Sequence, residues 1–187
     1  MIEFFNYLNS LHSLSSEATA ALLKVMRAKE LRRGQVWLQE GAVCDKFSFV
    51  VKGLMKQYFE TGSKEVIICF ARENEIIFSV QSYFKNTPSP HTIRAVEQSV
   101  VVYVLRSEFE HLMERHGELM RHYVLMVQER ACQMEQHVGV LLLPSKERYE
   151  SLAAASPWMV EGRLTDRMLY GYLGVGCNGL GRWRKGG

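Results

Sequence analysis

The chain has 187 residues, 47% of them hydrophobic and 23% charged, and a formal net charge of +3. That length holds one mid-sized domain plus a small one, with core enough to fold without staples, and the composition is that of an ordinary globular protein. No run of about 18 apolar residues occurs, which excludes a conventional membrane span.

The opening MIEFFNYLNSLHS has neither a basic start nor a continuous apolar stretch, so no signal peptide is expected. Four cysteines (Cys44, Cys69, Cys132, Cys177) fall without CxxC spacing, which suits a reduced, cytoplasmic setting. Residues 1–30 read as helical, with Ser15 or Ser16 as a cap and Glu17 in the first turn behind it. Glycines at 34, 41, 53 and 62 then separate short runs at 35–39, 46–51, 54–60 and 65–71. These runs are rich in Val, Ile, Phe and Tyr and partly alternate, as half-buried strands do. A turn-rich stretch at 85–90 precedes a further pair of strands at 91–96 and 100–105. Many short strands at this spacing predict a β-sandwich or jelly-roll barrel.

The periodicity changes after Arg106. Ser107 is expected to cap EFEHLMERH, and a long helix is expected from Gly117 to about Leu143, where Pro144 follows. Met120, Val124, Val127, Ala131, Met134, Val138 and Leu141 recur at alternating spacings of four and three. Such a stripe predicts a coiled-coil-like seam between two copies of the chain, the alternative being packing on its own barrel. Gly139 is expected to bend or loosen the helix near its end. A short helix over 146–155 ends at Ser156-Pro157, and Thr165 caps another.

The final stretch, LTDRMLYGYLGVGCNGLGRWRK, reads as two short helices joined at Gly174-Val175-Gly176, the outline of a helix-turn-helix. From Arg163 onward five basic residues face one acid, Asp166, so the basic character is concentrated here. Yet Gly179 and Gly181 lie inside the second helix, each costing about 1 kcal/mol relative to alanine.

In this order the segments resemble the cyclic-AMP receptor protein / fumarate-nitrate regulator (Crp/Fnr) family of bacterial transcription factors. The residues that carry it are LRRGQVWLQEGAVCDKFSFVVKGLMKQYF, PSPHTIRAVEQSVVVYVLRSEFEHL, and ERYESLAAASP leading into the final stretch. The short length is similar to members typical of the Bacteroidetes. The resemblance implies an α+β chain: a sensor barrel like the cyclic-nucleotide-binding domain over 1–116, a dimerisation helix over 117–143, and a winged-helix or helix-turn-helix domain over 144–187. It implies a homodimeric, cytoplasmic regulator that binds double-stranded DNA, with a small-molecule effector as a further partner and no membrane. A dimeric sensor or interaction protein with a degenerate helix-turn-helix is the alternative.

Nucleotide-binding members pair a glutamate for the ribose with an arginine for the cyclic phosphate. A buried phosphate without a cation is severely penalised. The matching stretch reads Ile77-Phe78-Ser79-Val80-Gln81, and the phosphate position falls near Ser89. Neither acid nor arginine is present, so no cyclic nucleotide is expected as cofactor. Ser79, Gln81, Ser89, Thr92 and Arg94 remain as candidate pocket residues for another effector. The scattered cysteines argue against an iron–sulfur cluster. His111, His116, His122 and His137 in helical stretches read as solvated or satisfied side chains. Without HxH, HExxH, GxSxG or P-loop patterns, neither a metal nor catalysis is expected.

In the family the helix before the turn carries a small residue where the two helices touch. Tyr170 stands at that position and is expected to push them apart. Base-reading residues open the second helix, which leaves Asn178, able to pair with adenine, and Arg182, able to reach a base or a phosphate. Arg184 and Lys185 are assigned to phosphates.

Overall fold

The computed structural model describes residues 2–62 and 64–176. Two compact units divide the chain. One comprises Met1–Gln57 and Phe70–Arg130, the other Tyr58–Cys69 and Ala131–Gly187.

The first unit opens with two helices, α1 (Ile2–Leu11) and α2 (Ser16–Val25). Phe4 and Leu8, one turn apart, form the buried face of α1. The Phe4 ring packs on Phe49 at 4.7 Å. Ser15 starts α2: its backbone is extended, and its hydroxyl accepts from the Ala18 N–H at 3.1 Å. The expectation of helix through residue 30 is corrected here. β1 (Arg27–Leu31) is a strand although RAKEL consists of good helix formers, and only Leu31 is buried. The ladder it makes with β8 (Ser99–Leu105), from Arg27 opposite Tyr103 to Leu31 opposite Ser99, overrides local propensity.

Two antiparallel four-stranded sheets form the jelly roll. The first runs β1–β8–β3–β6, where β3 is Lys46–Lys52 and β6 is Glu75–Ile76. The second runs β2–β7–β4–β5, where β2 is Val36–Leu38, β4 Met55–Thr61, β5 Lys64–Ala71 and β7 Thr92–Ala95. The turn from β3 to β4 requires glycine. Gly53 has φ +93°, and a Cβ there would meet the Gln98 carbonyl at 2.6 Å. The short helix α3 (Val80–Lys85), unforeseen in the sequence, closes at Asn86 in the left-handed region.

Helix α4 (Arg106–Arg115) begins one residue before the expected Ser107 cap, because the Arg106 N–H is bonded to the Asp45 carbonyl at 2.7 Å. The long helix α5 (Gly117–Leu141) continues through Gly139. Leu119, His122, Met126 and Arg130 make its buried face. His122 is a buried core histidine whose two ring nitrogens both face backbone carbonyls. Its Nδ1 lies 2.7 Å from the Glu118 carbonyl, and its Nε2 lies 2.8 Å from that of His12 and 3.1 Å from that of Leu8. The Glu118 carboxylate accepts from the backbone N–H of Ser15 at 2.9 Å and from its hydroxyl, and these bonds hold its pKa below the usual carboxylate range.

The second unit is built on Leu152 of α6 (Ser145–Ala155), Met159 and Leu164 of the irregular turn that follows, and Leu169 and Leu173 of α7 (Asp166–Leu173), all buried. Tyr58 of β4 and Ile67 and Cys69 of β5 are buried as well.

Candidate effector site and nucleic-acid-binding segment

Ser89 stands between Pro88 and Pro90, whose rings fix the backbone, and is pinned by its own backbone on both sides. Its carbonyl accepts from the Gly41 N–H at 2.8 Å and its N–H donates to the Ala42 carbonyl at 2.9 Å. This presents the Ser89 hydroxyl to Ser79 at 2.9 Å, to the His91 carbonyl at 2.7 Å and to the His91 N–H at 3.2 Å. Ser79 and Ser89 are each only 1% exposed. A hydroxyl with one proton and two lone pairs is thus fully engaged by protein partners. At the start of β7, His91 Nδ1 lies 3.1 Å from Gln57 Nε2. Burial pushes the His91 pKa down, opposed by the charge of Glu40, so the ring is neutral at pH 7.

Ser79, Ser89, His91 and Gln57 therefore make an uncharged hydrogen-bonded cluster. Thr92 is buried beside them in sequence and accepts from the Glu40 N–H at 3.2 Å. Arg94, half-buried, shares a face of β7 with Thr92 by strand alternation and pairs across to Val36 of β2. Gln81 is exposed on α3 and does not join the cluster. Gln57 and His91 were missed in the sequence, because a lone Gln in a strand and a lone His at a strand start carry no motif. Ser82, also missed, fixes α3: it accepts from the Cys44 N–H at 2.8 Å and donates to the Thr87 carbonyl at 2.5 Å.

The seam residues of α5 lie about a quarter turn from its buried face, at about 100° per residue. Met120, Val124, Met134 and Val138 are 43%, 42%, 41% and 57% exposed. Ala131 is exposed, and Val127 and Leu141 are half-buried.

The C-terminal segment begins with α7. The Thr165 hydroxyl accepts from the Met168 N–H at 3.3 Å, and Asp166 in the first turn complements the helix dipole. Leu169 and Leu173 face inward with no exposure. Gly174, at φ +61°, ends the helix in the left-handed region, and the Val175 N–H returns to the Tyr170 carbonyl at 3.2 Å. The guanidinium of Arg148 donates to the carbonyls of Leu143 at 2.7 Å and Leu173 at 2.9 Å. The tight position in α7 is Gly171. A Cβ there would stand 2.5 Å from the Glu65 carbonyl oxygen. Asn178, Arg182, Arg184 and Lys185, and the helix that Tyr170 is expected to push away, lie outside the described residues.

Among known proteins, the family profile of the cyclic nucleotide-binding domain matches residues 28–116. No curated relative matches the chain. Solved structures with a similar fold include FixK2 from Bradyrhizobium japonicum, at TM-score 0.73 and 19% identity, covering 86% of this chain and 83% of that one. The c-di-GMP responsive global regulator CLP of Xanthomonas campestris aligns at TM-score 0.72 and 11% identity, over 91% of this chain and 90% of its own. The catabolite activator protein of Thermus thermophilus aligns at TM-score 0.58 and 15% identity, over 96% and 85%. Residues 28–116 are thus similar to the cyclic nucleotide-binding domain, and the helix-and-jelly-roll fold is the one seen in these solved structures.

Proposed function

We propose that the chain is a homodimeric DNA-binding transcription regulator whose barrel does not take a cyclic nucleotide. The observation that carries the reading is α7: a capped helix, closed by a left-handed glycine, placed after a long helix with an exposed apolar seam. It has the form of the first half of a helix-turn-helix. In the reading, α5 pairs through Met120, Val124, Val127, Ala131, Met134, Val138 and Leu141. Two C-terminal segments then meet half-sites about one helical turn apart. Asn178 and Arg182 read or position, and Arg184 and Lys185 neutralise phosphates.

The serine cluster supports an effector class other than cyclic nucleotides, or none. Ser89 stands where the resemblance puts the phosphate arginine, and its partners are neutral. Calorimetry with cyclic AMP and cyclic GMP is expected to give no binding heat. Tight binding of either would overturn the reading of Ser79 and Ser89. For DNA, a duplex site selected from a random pool is the probe, followed by fluorescence anisotropy across a salt series. The regulator binds that site at least about a thousandfold more tightly than random duplex. Arg182→Ala weakens it by about 1–3 kcal/mol if it reads a base, or lowers the salt slope by about one if it contacts a phosphate. Equal affinity for selected and random duplex at moderate salt would favour the sensor alternative instead.

A further inference from the structure

Phe84 is a large aromatic side chain left 52% exposed on α3, a helix fastened in place from two sides. The Ser82 hydroxyl holds it to the Cys44 N–H and the Thr87 carbonyl. The Arg106 guanidinium donates to the Tyr83 carbonyl at 2.9 Å and to Asn86 Oδ1 at 2.8 Å. The Phe84 ring lies 6.3 Å, centroid to centroid, from that of Tyr123 on α5. Tyr123 is half-buried and packs inward on Phe47 at 5.4 Å and Phe109 at 5.7 Å. Along α5 it stands three residues after Met120 and four before Val127, the spacings at which helical side chains are neighbours. At about 100° per residue it falls between the buried face of the helix and the apolar stripe. Phe84, Tyr123 and the first half of the stripe therefore make one contiguous apolar surface, all within the first compact unit.

We infer, resting on the α5 pairing proposed above, that Phe84 and Tyr123 form a shoulder of the dimer interface, so that a second copy of this chain covers α3 as well as the stripe. Area decides the point. Met120, Val124, Met134 and Val138 are each about half exposed and offer less than about 100 Å² apiece. Together they fall well short of the roughly 800 Å² per partner of a standard stable interface. Surface beside the stripe has to join, and Phe84 alone adds about 100 Å² of ring. The geometry supplies a cover for it. In a parallel two-fold pair the Tyr123 side of one helix faces the opposite flank of the other, which carries the exposed Arg121 and Gln128. The stem of such an arginine covers an aromatic ring while its head stays in water.

Sedimentation equilibrium of the full chain over a wide concentration range reads the interface. Phe84→Ser, at a position already half in water, is expected to raise the dimer dissociation constant by about a hundredfold, about tenfold for each of the two symmetric contacts. Leu23→Ser removes a comparably exposed side chain (43%) from α2 and is expected to leave the constant unchanged. A photoreactive p-benzoylphenylalanine in place of Phe84 gives a second reading that keeps the site aromatic. After irradiation of mixed light and isotopically heavy chains, mass spectrometry is expected to find cross-links from position 84 to the first half of α5 in the other copy. A wild-type constant in Phe84→Ser, an equal rise in Leu23→Ser, or cross-links confined to one copy would overturn the inference and leave the α5 pairing standing. A wild-type chain that stays monomeric at high micromolar concentration would refute that pairing itself, and the shoulder with it.

Discussion

The seam on α5 gives the proposed dimer its sharpest test, because two of its residues are exposed enough for a charge there to reach water in the monomer. Val124 and Val138 are 42% and 57% exposed. Fully burying a side chain of this kind is worth about 2 kcal/mol. The surface each still offers to a partner is then worth about 1 kcal/mol, and about 4 kcal/mol for the four valines of a symmetric pair. The double substitution Val124→Glu with Val138→Glu removes that gain and keeps good helix formers on the helix. Facing carboxylates across the two-fold axis add repulsion on top of it. The dimer dissociation constant is expected to rise by about a thousandfold or more, since each 1.4 kcal/mol is about tenfold. Sedimentation equilibrium over a wide concentration range measures it, with far-UV circular dichroism and thermal melting of the monomer as fold controls. If the variant dimerises as tightly as the wild type, the stripe is not the interface. If the wild type is monomeric at high micromolar concentration, the stripe does not pair at all, and the spacing of its apolar residues has another cause.

Three further outcomes follow from single groups. Gly53→Ala is expected to cost about 3 kcal/mol, combining left-handed strain with overpacking against Gln98 and Ser99. Gly62→Ala, at φ +59° in open space, should cost only about 1 kcal/mol, and equal urea midpoints for the two would refute the clash. His122→Leu removes the ring N–H that donates to a backbone carbonyl in a buried site, that of Glu118 or those of Leu8 and His12, a loss of about 1–3 kcal/mol by denaturation. A variant as stable as the wild type would mean that these contacts are not formed in solution. His91 is held below the ordinary histidine range, so the unfolded chain takes up its proton first as pH falls. Its contribution is whole above about pH 6.5, the unfolded value, and is lost as the pH falls toward and through the folded one. His91→Gln removes that titration, and its stability is expected to vary less than the wild type's between pH 7.5 and 5. Parallel profiles would show that His91 is not the group involved.

What the sequence disclosed depended on how local the cause was. The caps at Ser15 and Thr165 are properties of a few adjacent residues: the sequence narrows the first to Ser15 or Ser16 and names the second. The long helix was equally plain, because an apolar stripe over 25 residues outweighs one glycine. β1 was not readable. Arg27, Ala28, Lys29 and Glu30 favour a helix, and only the distant β8 makes them a strand. α3, at six residues, is too short to show a period. In the effector region Ser79 and Ser89 were found from the resemblance, whereas Gln57 and His91 needed the fold to bring β4 beside the start of β7. Gly171 was passed over for its neighbour Tyr170, because the strand that makes it tight lies a hundred residues earlier in the chain.

The serine cluster constrains any effector in a way that fold resemblance alone does not. In a site left with unsatisfied donors, a ligand gains the full value of each bond it completes. The Ser89 hydroxyl is already engaged by Ser79 and by both backbone groups of His91, so a ligand reaching it must exchange one hydrogen bond for another. That exchange is worth little for a neutral group, and for a phosphate it leaves an anion buried against hydroxyls with no bonded cation. A ligand of this barrel is therefore expected to draw its affinity from apolar contact or from the half-buried Arg94 further along β7, not from the position where the resemblance places the phosphate. Ser89→Arg separates the two. Added cationic charge at that position is expected to create weak cyclic-AMP binding where the wild type has none. If the arginine variant folds and still binds no nucleotide, the missing charge is not what closes the site, and the self-satisfied geometry around Ser79 is.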